Sequence, residues 1–147
     1  MNYHCYSMNE CNTVFQFLQQ LNLDSLFVSV QNETDRLLKE KAEQILHDLG
    51  MPSSLAGFRF CVFALETSCS SPEILMNLNN TLYPMIAIHF GTSRCCVEKN
   101  IRKAIEITWL RADPERITEF FGCSVDPEKG KPSNSEFLTT LSASILI

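Results

Sequence analysis

From Thr34 onward, apolar side chains recur every three or four positions along the chain. This spacing places them on one face of an α-helix, which turns once in about 3.6 residues. Segment 35–50 has an apolar face formed by Leu37, Leu38, Ala42, Ile45, Leu46 and Leu49. Segment 56–68 is apolar nearly all round, which is typical of a central buried helix, although a buried strand fits as well. Because no alternating strand pattern and no repeat occurs, the sequence predicts an all-α fold.

Residues that begin or break helices stand at the edges of the later segments. Ser70 or Ser71 is expected to cap the segment 72–90, where Glu73 has the spacing of a capping box. Pro84 should kink this segment or split it into two helices. Two further helices are predicted after N-cap residues, namely 113–122 with Asp113 as the cap and 134–146 with Ser133 as the cap.

Residues 1–34 are polar and rich in Asn and Gln, and they are predicted to form an N-terminal arm before a domain of residues 35–147. Within the arm, residues 14–23 are amphipathic, as in a short helix that docks elsewhere or pairs with a copy of itself. The rest of the arm has no apolar pattern that would anchor it to the domain.

Residues 89–111 combine a short turn with a long helical pattern. At about 100° per residue, the packing face of this helix consists of Val97, Ile101, Ala104, Ile105 and Thr108. Gly91 lies at the turn, and Thr92 or Ser93 is expected to cap the helix. A short apolar helix, a glycine-containing turn and a second helix with a basic outer face are the elements of a helix-turn-helix. In that motif the second helix enters the major groove of DNA.

Charge is distributed unevenly along the chain, whose formal net charge is −5. Residues 94–111 hold five basic and two acidic side chains, a local balance of +3. Such a local concentration favours a nucleic-acid partner more than the net charge opposes one. The helix also has a plainer interpretation, because Glu98 with Arg102 and Arg102 with Glu106 are i,i+4 pairs that stabilise any solvated helix.

The sequence gives little support to a disulfide-bonded protein, a metal site, an enzyme or a membrane protein. Its seven cysteines are an odd number without C-x-x-C spacing, so we expect free thiols and neither a disulfide framework nor a metal site. Only His4, Cys5 and Cys11 cluster, without the ligand pairs usual for zinc. No triad or Gly-rich phosphate loop indicates an enzyme or a cofactor. The apolar runs are too short to span a membrane and no secretory signal is present, so we expect a cytoplasmic protein.

Three separated motifs follow one another along the chain, namely Leu82-Tyr83-Pro84, then Ala104-Ile105-Glu106 with Trp109, and then Lys-Pro-Ser-Asn-Ser-Glu-Phe at 131–137. Over residues 38–145 the chain resembles the C-terminal DNA-binding domain of stage 0 sporulation protein A, the response regulator that commits endospore-forming bacteria to sporulation. The resemblance implies about six helices around a helix-turn-helix. It also implies a sequence-specific transcription regulator that binds double-stranded DNA in the major groove.

Carried over residue by residue, the resemblance places the family's basic recognition positions at Cys96, Lys99, Arg102 and Lys103. Lys99 and Arg102 keep the positive charge, and Lys103 stands where a histidine is usual. Cys96 replaces an arginine, so one forked hydrogen-bond donor is missing, and Arg94 at the helix start could compensate for it. The predicted DNA-binding residues are Ser93, Arg94, Cys95, Cys96, Glu98, Lys99, Arg102 and Lys103.

The resemblance also implies a homodimer on tandem copies of a short consensus box and contact with the sigma subunit of RNA polymerase. In the family a receiver domain precedes the effector domain, whereas 34 residues do so here. We therefore expect either a free-standing effector domain or one whose receiver was lost, and no phosphorylation of this chain. The alternative is a protein-interaction module derived from such a domain, which binds a partner through residues 14–23 and no longer reads DNA. The acidic net charge and Cys96 favour this alternative.

Overall fold

The computed structural model describes residue 16, residues 23–122 and residues 130–145. Residues 23–122 and 130–145 form six α-helices, one 3-10 helix and no strand, which confirms the predicted all-α fold. In chain order the elements are α1 (Leu23–Asp48), α2 (Ala56–Ser70), the 3-10 helix η1 (Pro72–Met76), α3 (Leu82–Phe90), α4 (Arg94–Arg111), α5 (Pro114–Phe121) and α6 (Asn134–Ile145). The predicted helix at 14–23, apart from Gln16 and Leu23, lies outside the described residues, as do His4, Cys5 and Cys11.

Helix α1 begins earlier than the pattern of residues 35–50 predicted. Its first residue is Leu23, so residues 23–34 of the predicted arm are helical as well. Nothing in residues 23–34 stops a helix, because Gly and Pro are absent and each residue added to a formed helix gains a hydrogen bond. The helix ends where predicted, before Gly50, whose φ of 88° suits a residue without a side chain.

The chain divides into two compact units, residues 1–36 and residues 37–147. In the first unit, every residue from 24 to 36 is exposed. The second unit contains all the buried apolar side chains of the described residues, from Ala42 to Ile145. No helix in the described parts of the chain is long and apolar enough to cross a membrane.

Helix α2 lies at the centre of the second unit, where it contacts η1, α3, α4 and α6. It is a helix and not the strand that its apolar sequence also allowed. Its buried side chains come from all round the helix and include Phe58, Phe60, Cys61, Val62, Ala64 and Leu65. Complete burial raises the pKa of the Cys61 thiol to about 12. The segment therefore serves as the support against which the other helices pack.

Segment 72–90 forms two helices, but the break between them precedes Pro84. Pro84 lies in the first turn of α3, where backbone N–H groups have no partner within the helix and a missing one costs nothing. The predicted capping box was wrong. Ser71 precedes η1 without a side-chain hydrogen bond, and Ser70 is the last residue of α2.

Helices α5 and α6 begin at the predicted caps. The Asp113 Oδ1 atom accepts a hydrogen bond from the backbone N–H of Glu115 at 3.0 Å. Ser133 Oγ accepts one from the backbone N–H of Glu136 at 3.2 Å. Each bond satisfies one N–H group that the start of a helix leaves without a partner.

Trp109 joins three helices at the edge of the core. Its ring centroid lies 5.1 Å from that of Phe121 in α5 and 6.3 Å from that of Phe137 in α6, with edge-on geometry in both pairs. Such pairs add to the stability that burial gives. Trp109 therefore holds the end of α4 against α5 and α6.

Candidate DNA-binding surface

Helices α3 and α4 are joined by a turn of three residues, from Gly91 to Ser93. Gly91 ends α3 in the left-handed conformation, with φ of 68°, and the N–H groups of Gly91 and Thr92 both donate to the carbonyl oxygen of Ala87. Ser93 caps α4, because its Oγ accepts a hydrogen bond from the backbone N–H of Cys96 at 3.1 Å. The two helices pack against each other, so a short helix, a short turn and a second helix follow one another as in a helix-turn-helix.

Helix α4 buries the face that the sequence predicted. Its buried residues are Val97, Ile101, Ala104, Ile105 and Thr108. Thr108 is buried without an unmet hydrogen bond, because its Oγ1 donates to the carbonyl oxygen of Ala104 at 2.7 Å. Since this face packs against α2, α3 and α6, the opposite, polar side of α4 faces away from the core.

The eight residues predicted to bind DNA lie together on the cap of α4 and between residues 94 and 103 of the helix. Six of them are exposed, namely Ser93, Arg94, Cys95, Lys99, Arg102 and Lys103. Cys96 and Glu98 are half-buried. Lys99 and Lys103 lie one turn apart, and neither forms an ion pair with another described residue. Their ammonium groups are available to an anionic partner.

Two arginines of this surface have partners within the protein. Arg102 Nη1 donates to Glu98 Oε1 at 3.0 Å, which is one of the two predicted i,i+4 pairs. The two side chains keep 51% and 32% of their exposure, and such solvated pairs contribute roughly 0–1 kcal/mol. Arg94 Nη1 donates to the carbonyl oxygen of Asn79 at 3.3 Å. Neither contact is strong enough to withhold the guanidinium group from a better acceptor.

The second predicted pair, Arg102 with Glu106, does not form an ion pair. The Glu106 carboxylate instead forms a hydrogen-bonded ion pair with Lys131, which precedes α6. The hydrogen bond from Lys131, and then its charge, hold the pKa of Glu106 below the usual range, and the charge of Arg102 contributes to lowering it. Helical spacing could not predict this pair, because Lys131 lies 25 positions further along the chain.

A cavity of about 500 Å³ lies beside α4, and Asn134 is one of the residues that line it. Asn134 Nδ2 donates to the Tyr83 hydroxyl oxygen at 2.9 Å and to the main-chain carbonyl oxygen of Glu98 at 3.2 Å. Burial raises the pKa of Tyr83, and the hydrogen bond from Asn134 offsets part of that rise. Sequence reasoning missed this junction, although Asn134 belongs to the third motif of the resemblance.

The helix-turn-helix and the helices around it match a known protein family. The family described as Sporulation initiation factor Spo0A C terminal matches residues 42–145. The chain belongs to this family. The match includes α2 to α6 in full, and with them the helix-turn-helix and the residues around Asn134. The resemblance inferred from the three motifs is therefore confirmed, and the domain is a response-regulator effector domain of the sporulation type.

Cys96 lies at the position where the resemblance led us to expect an arginine. Asn100 Nδ2 donates both to the carbonyl oxygen of Cys96, at 2.7 Å, and to its Sγ, at 3.1 Å. The neighbouring Cys95 is exposed. The described residues contain no group of three His, Cys, Asp or Glu side chains that could hold a metal ion.

Proposed function

We propose that this chain is a sequence-specific DNA-binding transcription regulator, with α4 as the helix that enters the major groove. The observation that carries the proposal is the division of α4 into two faces. One face is buried in the core, and the other presents Lys99, Arg102 and Lys103 on the helix that follows the short turn from α3. A second helix placed in this way is the one that reads base edges in helix-turn-helix proteins.

The exposed side chains suit two kinds of contact. Lys99 and Lys103 can neutralise phosphates, which supplies affinity without sequence information. Arg102 can present its forked donor to guanine, and Glu98 can accept from the amino group of cytosine. A bidentate base contact contributes about 1–3 kcal/mol of discrimination, whereas the exposed pair between Glu98 and Arg102 is worth roughly 0–1 kcal/mol. Exchanging the ion pair for base contacts is therefore favourable.

The acidic charge of the rest of the chain is compatible with this function. The molecule carries −5 overall while residues 94–111 carry +3, so a phosphate backbone is attracted to α4 and repelled elsewhere. Such a distribution orients the domain on DNA and weakens binding by other surfaces.

A salt series with two duplexes tests the proposal. One duplex carries the consensus box of the family and the other a scrambled version of it. Affinity for both should fall steeply between ~50 and ~200 mM salt, and the box should be preferred at every salt concentration. Lys103→Ala should make the salt dependence shallower, while Lys39→Ala on α1 serves as a matched control. A chain that binds neither duplex above background contradicts the proposal.

We further propose that two copies bind side by side on tandem boxes and that the bound domain contacts the sigma subunit of RNA polymerase. Both proposals rest on the family resemblance. Analytical ultracentrifugation with one-box and two-box duplexes should reveal tighter binding of the second copy on the tandem site. A second copy that binds no more tightly than the first contradicts side-by-side binding on tandem boxes. The proposed contact with sigma predicts that the DNA-bound domain retains the sigma subunit, and a DNA-bound domain that does not retain it contradicts that contact.

A second candidate function is a protein-interaction module, and one observation favours it. Helix α1 exposes large apolar side chains in its N-terminal half, among them Phe27 at 71% exposure and Leu26 at 59%. Monomeric proteins seldom leave such side chains adjacent and uncovered. The two functions differ in the outcome of the salt series, because a module that no longer reads DNA would not distinguish the box from its scrambled version.

A further inference from the structure

Asn134 uses both hydrogens of its side-chain amide on the helix-turn-helix, one on each helix. The first reaches Tyr83 in α3 and the second reaches the main chain of Glu98 in α4. An amide nitrogen carries two donor hydrogens, so no further donor capacity remains. A single side chain at the start of α6 therefore connects the three helices that meet beside the exposed face of α4.

The bond to α4 holds the backbone of the helix and not a mobile side chain. In a regular helix the Glu98 carbonyl oxygen already accepts from the N–H four residues on, and Asn134 supplies a second donor from outside. The other acceptor, Tyr83, is only 4% exposed, so its hydroxyl is a fixed reference point. The Asn134 amide is thus anchored at the Tyr83 hydroxyl, and through its bond to the Glu98 carbonyl oxygen it positions α4.

A second contact from the same short segment lies further along α4. Lys131 pairs with Glu106, eight residues after Glu98, which corresponds to about 12 Å along the helix axis. Two attachments on one side of a helix oppose rotation about its axis. With side chains reaching about 5–6 Å from that axis, a rotation of about 20° would displace their ends by about 2 Å. A displacement of that size breaks a hydrogen bond.

We propose that Asn134 is a positioning residue for DNA recognition, which sets the rotation of α4 so that its base-reading side chains point into the groove. The inference rests on the proposed function, and it concerns a residue outside the recognition helix. Asn134 affects discrimination between sequences through Tyr83 and the Glu98 main chain. Phosphate binding by Lys99 and Lys103 tolerates small displacements, because charge acts over a longer range than a hydrogen bond.

Asn134→Asp is the variant that tests the inference, because it keeps the size of the side chain and removes both donors. An acidic residue in the first turn of α6 favours the helix, so the fold should persist. The matched control is Ser135→Asp, which adds the same charge one position later, at an exposed residue. The ratio of affinities for the box and its scrambled version should fall about fivefold in Asn134→Asp relative to Ser135→Asp, as expected for a lost hydrogen bond.

Tyr83→Phe removes the hydroxyl anchor and keeps the ring, so it provides a second, independent variant. It should lower the same ratio by a smaller factor, and its effect should be less than additive when combined with Asn134→Asp, because both act through one junction, although the Tyr83 hydroxyl can donate to the new carboxylate. Urea unfolding of each variant reports whether stability changes with it. Equal ratios in Asn134→Asp and Ser135→Asp would overturn the inference, and so would a full additional effect of Tyr83→Phe in the double variant.

Hydrogen exchange of the α4 amides separates the inference from the proposed function. Amides around Glu98 should exchange faster in Asn134→Asp than in Ser135→Asp, with or without DNA. If the exchange rates are the same, the junction does not hold the helix and the inference is wrong. If the rates differ but the wild-type chain binds the two duplexes equally, Asn134 does hold α4 in place. The proposed DNA-reading function is then wrong, and so is the role of Asn134 in DNA recognition.

Discussion

Gly57 and Asn100 lie so close together that a side chain at position 57 has no room. A Cβ atom built on Gly57 would lie 2.3 Å from the carbonyl oxygen of Asn100 and 2.6 Å from the Cβ of Ala104. The glycine therefore sets the distance between α2 and α4. Because Asn100 and Ala104 are in the helix that carries the candidate DNA-binding residues, this contact also fixes how far α4 stands out from the core.

We expect Gly57→Ala to destabilise the domain. Alanine would gain about 1 kcal/mol in helix propensity, but the clash is with a backbone atom that can move only with α4, and overpacking of this kind costs typically about 1–3 kcal/mol or more. Urea unfolding should reveal a lower midpoint. Ser70→Ala, at an exposed position of the same helix, should change stability by less than about 0.5 kcal/mol. A stabilised Gly57→Ala would mean that the helices are further apart than described.

Cys96→Arg should strengthen binding to the family's box. Cys96 is half-buried at the margin of the polar side, and an arginine there can extend beyond the helix to a guanine. A bidentate contact predicts a gain of about tenfold or more on the box, with a smaller gain on the scrambled duplex from the added charge.

Cys95→Arg is the matched control for this substitution. Cys95 is exposed and one residue away, so an arginine there adds the same charge in another direction. Similar gains on both duplexes for both variants would indicate that residue 96 does not face a base. Loss of cooperative unfolding in Cys96→Arg would place Cys96 in the core.

Arg102→Ala should lower affinity for the box by roughly 1–3 kcal/mol and affinity for the scrambled duplex only slightly, if Arg102 reads a base. The substitution also leaves Glu98 without its partner, and the free carboxylate repels phosphates. The comparison is therefore repeated in a Glu98→Gln background, in which no such charge remains. The loss on the box should persist there. A loss that disappears, or that is equal on both duplexes, would assign Arg102 a purely electrostatic role.

Alkaline pH should destabilise the fold through Cys61. Burial raises the pKa of this thiol from 9.0 to about 12, so the folded state keeps the proton that the unfolded chain loses. Its contribution is complete below about pH 9 and is lost as pH rises towards 12, with a slope of about 1.4 kcal/mol per pH unit for one proton. Urea unfolding with a reducing agent present measures this slope. Cys61→Ala should make it shallower, and an unchanged slope would contradict the assignment to Cys61.

Deletion of residues 1–30 should leave the domain folded. The described core begins at Ala42, and residues 24–36 are exposed throughout. The shortened chain should therefore unfold cooperatively at nearly the urea concentration of the full chain. If cooperativity is lost, the N-terminal residues contribute to the core and the boundary predicted at residues 34–35 is misplaced.

Features set by neighbours in the sequence were predicted well. The buried face of α4, from Val97 to Thr108, follows from helical periodicity alone. The caps Ser93 and Asp113 act on N–H groups two or three residues away, so the local sequence suffices to identify them. The family resemblance then added the helix-turn-helix context, which periodicity by itself only suggested.

Features set by distant residues were missed. The sequence offered Arg102 as the partner of Glu106, because both lie on one helix, but the ammonium group of Lys131 reaches the carboxylate from another segment. The role of Asn134 likewise depends on how α6 packs against α3 and α4. No spacing rule describes such contacts, since they exist only after the helices have assembled.

The order of the elements along the chain has a consequence for protein synthesis. The ribosome makes α4 before α6, yet α6 supplies Phe137, Leu138 and Leu141 to the core that supports α4. A nascent or prematurely terminated chain that stops after α5 therefore lacks part of its own core. We expect such a product to lack a stably held α4, so that only the finished chain presents the candidate DNA-binding surface.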